Sequence, residues 1–188
     1  MSFQLLRPIL CLIFFTPKTT NANFLTSKFK ADLETGYLCP DNDKLEVPIR
    51  LFRIDRFNRT HRAISIDFTF AKPLDETAEG AIFVEKYTEG DWKMLPSLTW
   101  QKDPCNSIGM RYGRESMIRT GKALGWKNPD KCPIPAGNYS MIRHPFITYY
   151  DTPFWPGRFR VQMVMRRIAT KRKIFCTMTI MNFVETVN

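Results

Sequence analysis

The chain has 188 residues and is basic, with 28 Lys and Arg against 18 Asp and Glu and a formal net charge of +10 at pH 7. It carries 15 Phe, 9 Met, 6 Tyr and 4 Trp, and a chain of this size can bury one sizeable core, so a single folded domain is predicted. Beyond the N-terminus, no segment is apolar over the roughly 20 residues that a membrane-spanning helix needs, which excludes a second hydrophobic span.

Residues 1–22 have the pattern of a secretory signal peptide. Arg7 gives a positive start, residues 9–15 form a short apolar run, and residues 20–22 form a small-residue cleavage site. The alternative is a buried N-terminal strand. We therefore predict a secreted, extracellular protein whose single domain spans residues 23–188.

Cysteine usage agrees with that compartment. Cys39, Cys105, Cys132 and Cys176 follow the signal segment. In a secreted chain they predict two disulfides, and their spacing leaves all three pairings open. None stands in a CxxC spacing or near a pair of histidines, so no metal site is predicted.

Two sequence triplets, at 58–60 and 138–140, have the N-glycosylation pattern. Asn58 falls between two strand patterns, where a glycan is easily accommodated. Asn138 enters a predicted strand, where its side chain could face inward. Both are candidate glycosylation sites, with chance occurrence as the alternative.

Apolar and polar residues alternate with period two along most of the chain, which predicts strands. The predicted strands are residues 47–57 and 62–72 as a hairpin, then 81–87, 92–95 and 139–150, the last bent near Pro145. Residues 73–80 form an acidic loop, and the interval between Cys105 and Cys132 has the pattern of one or two short helices. These elements predict a mainly β fold, an antiparallel β-sandwich or cup with a short helical insertion.

A final hairpin is the clearest element. In its first strand Phe159, Val161, Met163 and Met165 share one face, whereas Arg158, Arg160, Gln162 and Arg166 share the other. The second strand has Ile174, Cys176, Met178 and Ile180 on one face, and its opposite face is nearly as apolar.

The hairpin tip is strongly basic. Its cations are Arg166, Arg167, Lys171, Arg172 and Lys173. Two interpretations are open. The tip is solvated, or it is attracted to an anionic membrane surface or an acidic partner. Nucleic acid is not predicted as a partner, because the run lacks interleaved aromatic residues for base stacking.

Catalytic motifs are missing from the sequence. His61 falls in a predicted turn and His144 precedes a proline, neither near a Ser or Cys nucleophile motif. Asp75, Glu76 and Glu79 crowd one loop, where solvated acids are expected. No glycine-rich phosphate loop follows a strand. We predict neither an enzyme nor a cofactor.

One group of residues in the C-terminal third resembles a known family. Its members are Cys132, Pro133, Gly137, Tyr139, Ser140, Pro153, Trp155, Gly157, Phe159, Arg160 and Cys176. Their order and spacing resemble the ganglioside activator and lipid-recognition (ML) group of cup-shaped, immunoglobulin-like β-sandwiches. The segment between Cys105 and Cys132 is most similar to the insect chemosensory B proteins and their small secreted relatives.

The resemblance implies disulfides Cys39–Cys176 and Cys105–Cys132. It also implies a non-enzymatic protein that holds a lipid or other hydrophobic small molecule between two sheets and presents it to an enzyme, membrane receptor or channel. The chemosensory relatives extend this expectation to pheromone response. This chain has four cysteines outside its signal segment where the ganglioside activator has eight.

The abundant Phe and Met residues fit such a cavity, because they adapt to variable apolar shapes. The predicted lining residues are Ile66, Phe68, Phe70, Phe83, Trp92, Phe146, Phe159, Val161, Met163, Met178 and Ile180. Two alternatives remain: a basic interaction module with a solid core that docks on an acidic receptor or glycan, and a small hydrolase with a site assembled from scattered residues.

Overall fold

The computed structural model describes residues 28–96, 98–107, 114–146, 149–150 and 156–186. The predicted signal peptide lies outside these residues, as do Pro153 and Trp155 of the resemblance. No helix in the part of the chain that the structure describes is long and apolar enough to cross a membrane.

The described residues form ten strands and one helix of ten residues. The strands are β1 (Lys28–Leu38), β2 (Ile49–Arg56), β3 (Arg62–Phe70), β4 (Ala78–Thr88), β5 (Asp91–Met94), β6 (Leu98–Lys102), β7 (Gly137–Phe146), β8 (Tyr149–Tyr150), β9 (Gly157–Arg167) and β10 (Lys173–Thr186). The helix is α1 (Arg114–Ala123). A 3-10 turn at Asn42–Lys44 and a helical turn at 104–107 complete these elements.

The strands form two antiparallel sheets. The large sheet has the order β5-β4-β9-β10-β1-β8, with β6 also paired to β4. The small sheet has the order β2-β3-β7. Side chains from the inner faces of both sheets share one apolar cluster, so the fold is the predicted β-sandwich, and α1 is the predicted helical insertion.

Both disulfides join the cysteines that the resemblance implies. Cys39, just after β1, bonds to Cys176 in β10 across 137 residues. Cys105, in the helical turn, bonds to Cys132 across 27 residues and closes the segment that contains α1. Cys176 is fully buried on the outer face of the large sheet, beside Leu45 and Val164.

Two strands were not predicted. In β1 the alternation of Phe29, Ala31 and Leu33 with charged residues was the available signal, and all three side chains are buried. The strand β6 also lies outside the predicted elements. The acidic loop ends earlier than expected, because β4 begins at Ala78 and places Glu79 inside a strand.

The predicted bend in β7 is a bulge located just before Pro145. Ile142 and Arg143 together oppose Ser65 of β3, because the register shifts between the pairs Ile66–Met141 and Ile64–His144. Arg143 has a φ of 50°, and its backbone N–H donates to Ser65 Oγ at 3.0 Å. The extra residue reverses the alternation, so Phe146 faces the same way as Met141.

A candidate ligand cavity between the sheets

A cavity of about 350 Å³ lies between the two sheets beneath α1. None of the described side chains that line it carries a charge. They are Leu33, Phe52, Ile54, Ile64, Ile66, Phe68, Phe70, Leu74, Thr120, Leu124, Trp126, Ile134, Met141, Phe146, Met163, Met165, Phe175, Thr177, Thr179 and Met181. Concave sites lined mainly by apolar and aromatic residues are typical of small-molecule binding.

The cavity is elongated along the strands. Phe175 and Met181 both line it and stand six residues apart in β10, roughly 20 Å at the rise of an antiparallel strand. Rings crowd the end near α1, where Phe68 lies 5.8 Å from Phe175 and Trp126 lies 6.0 Å from Tyr139 between ring centroids. Leu33, Ile54, Phe146 and Met181 line the opposite end.

Five predicted lining residues are in the wall. Ile66, Phe68 and Phe70 come from the alternating face of β3, and Met163 comes from the corresponding face of β9. Phe146 reaches the wall through the bulge in β7. Phe159 and Val161 instead belong to a neighbouring buried cluster with Phe29, Ala31 and Phe183, which Phe146 also contacts.

Four predicted lining residues lie on the outer face of the large sheet, which corrects the expectation. Phe83 packs beside the Cys39–Cys176 disulfide, and Met178 and Ile180 share the face of Cys176 because side chains alternate along β10. The Trp92 ring lies near two guanidinium groups, with Arg158 Cζ at 5.6 Å and Arg160 Cζ at 4.9 Å from its centroid. Both faces of β10 are apolar, so its sequence did not indicate which one faces inward.

Other wall residues were missed by sequence reasoning. Leu33 lies on β1, and Phe175, Thr177, Thr179 and Met181 lie on the face of β10 opposite to Cys176, Met178 and Ile180. The alternation in β1 was a usable signal. Leu124 and Trp126 come from the segment closed by Cys105–Cys132, and no periodicity of that segment points to the cavity. Ile134 follows the bridge and pairs with Leu74.

The basic tip is largely paired with acids of neighbouring segments. Lys171 Nζ and Arg166 Nε donate to Glu79 Oε1 at 2.9 and 2.6 Å, and these bonds hold the pKa of the Glu79 carboxyl below its ordinary value. Lys173 Nζ donates to Asp41 Oδ2 at 2.7 Å. Glu79, expected in a solvated loop, is instead buried, and these pairs reduce the positive charge that the tip presents to a partner.

Arg167 is the least exposed of these paired cations. Its Nε donates to both carboxylate oxygens of Glu46 at 3.1 Å, and 15% of the Arg167 side chain and 20% of the Glu46 side chain are exposed. The hydrogen bond from Arg167, opposed in part by burial, holds the pKa of Glu46 below its ordinary value. The pair joins the end of β9 to the segment before β2.

We expect Glu46→Gln to lower the free energy of unfolding by about 2 kcal/mol at pH 7, the range for hydrogen bonds to charged groups. Because the folded-state pKa is lowered, this stabilisation is complete above the unfolded pKa and is lost as pH falls through the folded value. Urea unfolding between pH 3 and 7 measures it.

The control is Glu89→Gln, which removes an exposed pair with Lys93. We expect it to change the free energy of unfolding by no more than about 0.5 kcal/mol. A difference between wild type and Glu46→Gln that is the same at pH 3 and pH 7 would contradict the assigned pKa direction.

Both candidate glycosylation sites are exposed. Asn58 lies in the turn between β2 and β3, where its Oδ1 accepts the backbone N–H of Thr60 at 2.9 Å. Asn138 lies at the start of β7, where its Oδ1 accepts the hydroxyl of Thr69 at 2.7 Å.

We expect two glycans when the chain is secreted from a eukaryotic host, because both asparagines are accessible. Mass spectrometry before and after enzymatic deglycosylation would count them. Thr60→Ala and Ser140→Ala should each remove one glycan and leave its asparagine in place. An unchanged mass after deglycosylation would show that the sites are unused.

The two histidines lie far apart along the chain. His61 ends the β2–β3 turn, where its Nδ1 lies 2.8 Å from Thr60 Oγ1. His144 follows the bulge in β7 and lines an open depression between α1 and β7, together with Arg119, Lys122 and Ser140. Met141 lines both this depression and the cavity.

No family model fits the sequence, and no curated protein is significantly similar to it.

Proposed function

We propose that the protein is a secreted, non-enzymatic binding protein that holds a lipid or other hydrophobic molecule between its sheets and presents it to a membrane receptor or enzyme. The observation that carries the proposal is the cavity of about 350 Å³, whose lining among the residues that the structure describes has no charged side chain. The resemblance of residues 132–176 to the ML group and of the preceding segment to the chemosensory B proteins is consistent with this function, including a pheromone as ligand.

Burial of apolar surface would drive binding. Each methylene transferred from water into the cavity contributes about 0.8 kcal/mol. Affinity for a homologous series should therefore rise with chain length and stop rising once the cavity is filled. A pure hydrocarbon has no hydrogen-bonding group, so its affinity would come from apolar burial.

Native mass spectrometry of the protein secreted from a eukaryotic host tests the proposal. We expect a co-purifying apolar molecule at near one-to-one stoichiometry, identified by extraction with organic solvent. Titration with alkanes of increasing length should then give the dependence described above. An apo mass together with no uptake of alkanes, esters or glycolipids would overturn the proposal.

The basic interaction module is the second candidate. The ion pairs of the hairpin tip argue against it, because Arg166, Arg167, Lys171 and Lys173 already have acidic partners. Docking by this tip would have to compete with those pairs. Binding to anionic vesicles that weakens steeply with salt would favour this candidate.

A further inference from the structure

Trp126, which lines the cavity, carries a buried polar atom that has no hydrogen-bond partner among the described residues. The indole Nε1 of Trp126 is shielded from solvent, and no atom of the described residues accepts its hydrogen. An indole N–H is a donor only, so it cannot be satisfied by a neighbouring donor. The large majority of buried side-chain polar groups are hydrogen-bonded to protein or to ordered water. An orphaned donor on a residue that lines a cavity is therefore a place where a bound molecule can supply the acceptor.

The indole is held in place by packing. A Cβ at Gly121 would lie 2.5 Å from Trp126 Cε3, so the ring packs directly against the backbone of α1. The ring of Tyr139 meets it nearly edge-on, at 80°, from β7. The Trp126 backbone N–H donates to the Gly121 carbonyl at 2.8 Å. The side chain therefore has little freedom to turn toward another acceptor.

The rest of the wall restricts the chemistry of the ligand. The lining that the described residues form has no cation to pair with a carboxylate or phosphate, and an unpaired charge is strongly disfavoured in an apolar site. Thr120, Thr177 and Thr179 carry hydroxyls, which both donate and accept and so impose no requirement of their own. The acceptor should therefore be an uncharged oxygen.

The position of Trp126 restricts where that oxygen lies. Trp126 is at the end of the cavity near α1, whereas the opposite end is lined by Leu33, Ile54, Phe146 and Met181. A ligand that extends between the two ends would place only its own terminus beside the indole.

We propose that the cavity binds an uncharged long-chain molecule with an acceptor oxygen at one end, a methyl ketone, aldehyde or ester, and that Trp126 Nε1–H donates to this oxygen. The proposal rests on the proposed binding function and specifies its ligand class. The aliphatic chain supplies most of the affinity, and the hydrogen bond selects oxygenated over pure hydrocarbon ligands and fixes the orientation of the chain.

Three ligands with the same number of carbons test it: an n-alkane, the 2-alkanone and the ketone with its carbonyl at mid-chain. Competition against a fluorescent apolar probe measures their affinities for the secreted protein. We expect the 2-alkanone to bind about fivefold more tightly than the mid-chain ketone, the factor that one hydrogen bond of ordinary net strength supplies.

The matched variant replaces Trp126 by β-(3-benzothienyl)alanine, which keeps the bicyclic shape but has sulfur in place of the N–H. We expect it to bind the alkane like wild type and to lose the preference for the 2-alkanone. The same replacement at Trp92, on the outer face, should leave the preference intact. Independently, the ¹⁵N-labelled indole proton signal of Trp126 should shift downfield with the 2-alkanone and not with the alkane.

The outcomes separate this inference from the proposed function. Equal affinities for the alkane and both ketones, with normal dependence on chain length, would overturn the role of Trp126 and leave the binding function standing. A preference that survives the Trp126 replacement would assign the hydrogen bond elsewhere and also overturn it. Failure of all three ligands to bind would overturn both.

Discussion

Replacing Cys39 and Cys176 by alanine is expected to lower the free energy of unfolding by about 5 kcal/mol. The disulfide joins residues 137 positions apart, and the chain-entropy model gives this value for a loop of that length. Since folded domains are stable by only about 5–15 kcal/mol, the variant should be close to unfolding at 37 °C. The midpoint and slope of denaturant unfolding, with wild type beside the variant, measure the loss.

The Cys105–Cys132 disulfide provides the internal comparison. It closes a loop of 27 residues, for which the same model gives about 3.5 kcal/mol. Its loss should also loosen the segment that contributes Thr120, Leu124 and Trp126 to the cavity, and so weaken ligand binding at temperatures where the protein is still folded. A larger loss of stability from removing this bridge than from removing Cys39–Cys176 would contradict the loop-length argument.

The inner faces of β3 and β9 could be predicted from the sequence because each has one polar side. Arg158, Arg160 and Gln162 alternate with Phe159, Val161 and Met163, and only one orientation leaves the charged side chains near water. Even in β9 the alternation predicts which side chains face inward, but it does not predict which of them line the cavity. Phe159 and Val161 face inward, but they fill a solid cluster beside the cavity.

The strand β10 shows where such inference fails. Its outer face is covered by contacts that come from elsewhere in the chain, Leu45 and Trp100 around the disulfide. Both faces of β10 are therefore apolar, and the alternation of side chains does not predict which face lines the space between the sheets. The pairing of Cys39 with Cys176 places Met178 and Ile180 outside, a conclusion that needs the disulfide geometry as well as the alternation.

The residues of the cavity wall near α1 could not be predicted from the sequence for a different reason. Trp126 lies next to Tyr139 because the Cys105–Cys132 bridge folds its segment back onto β7, and because Gly121 leaves room for the ring. Phe146 faces inward only because Ser65 of another strand stabilises the bulge at Arg143. Contacts between segments distant in sequence decide both positions, and no local pattern predicts them.

Met163→Trp should weaken ligand binding more than tenfold by filling the cavity. Met163 lies on the inner face of β9 between Ile82 and Thr177, and its side chain lines the cavity. A larger side chain there occupies space that the ligand needs, and displacing two methylenes would reduce binding by about 1.6 kcal/mol. The longest chain that still gains affinity should shorten in an alkane series measured by probe displacement.

Met178→Trp is the matched control, because it makes the same change on the outer face of the adjacent strand. Met178 lies between Gln162 and Tyr37, on the face of the Cys39–Cys176 disulfide. The Met178→Trp variant should have the same affinity for alkanes and the same preferred chain length as wild type, provided that circular dichroism shows both variants folded. If Met163→Trp binds like wild type while Met178→Trp loses affinity, the inner and outer faces assigned to β9 and β10 are reversed. Loss in both variants would place the ligand outside the cavity.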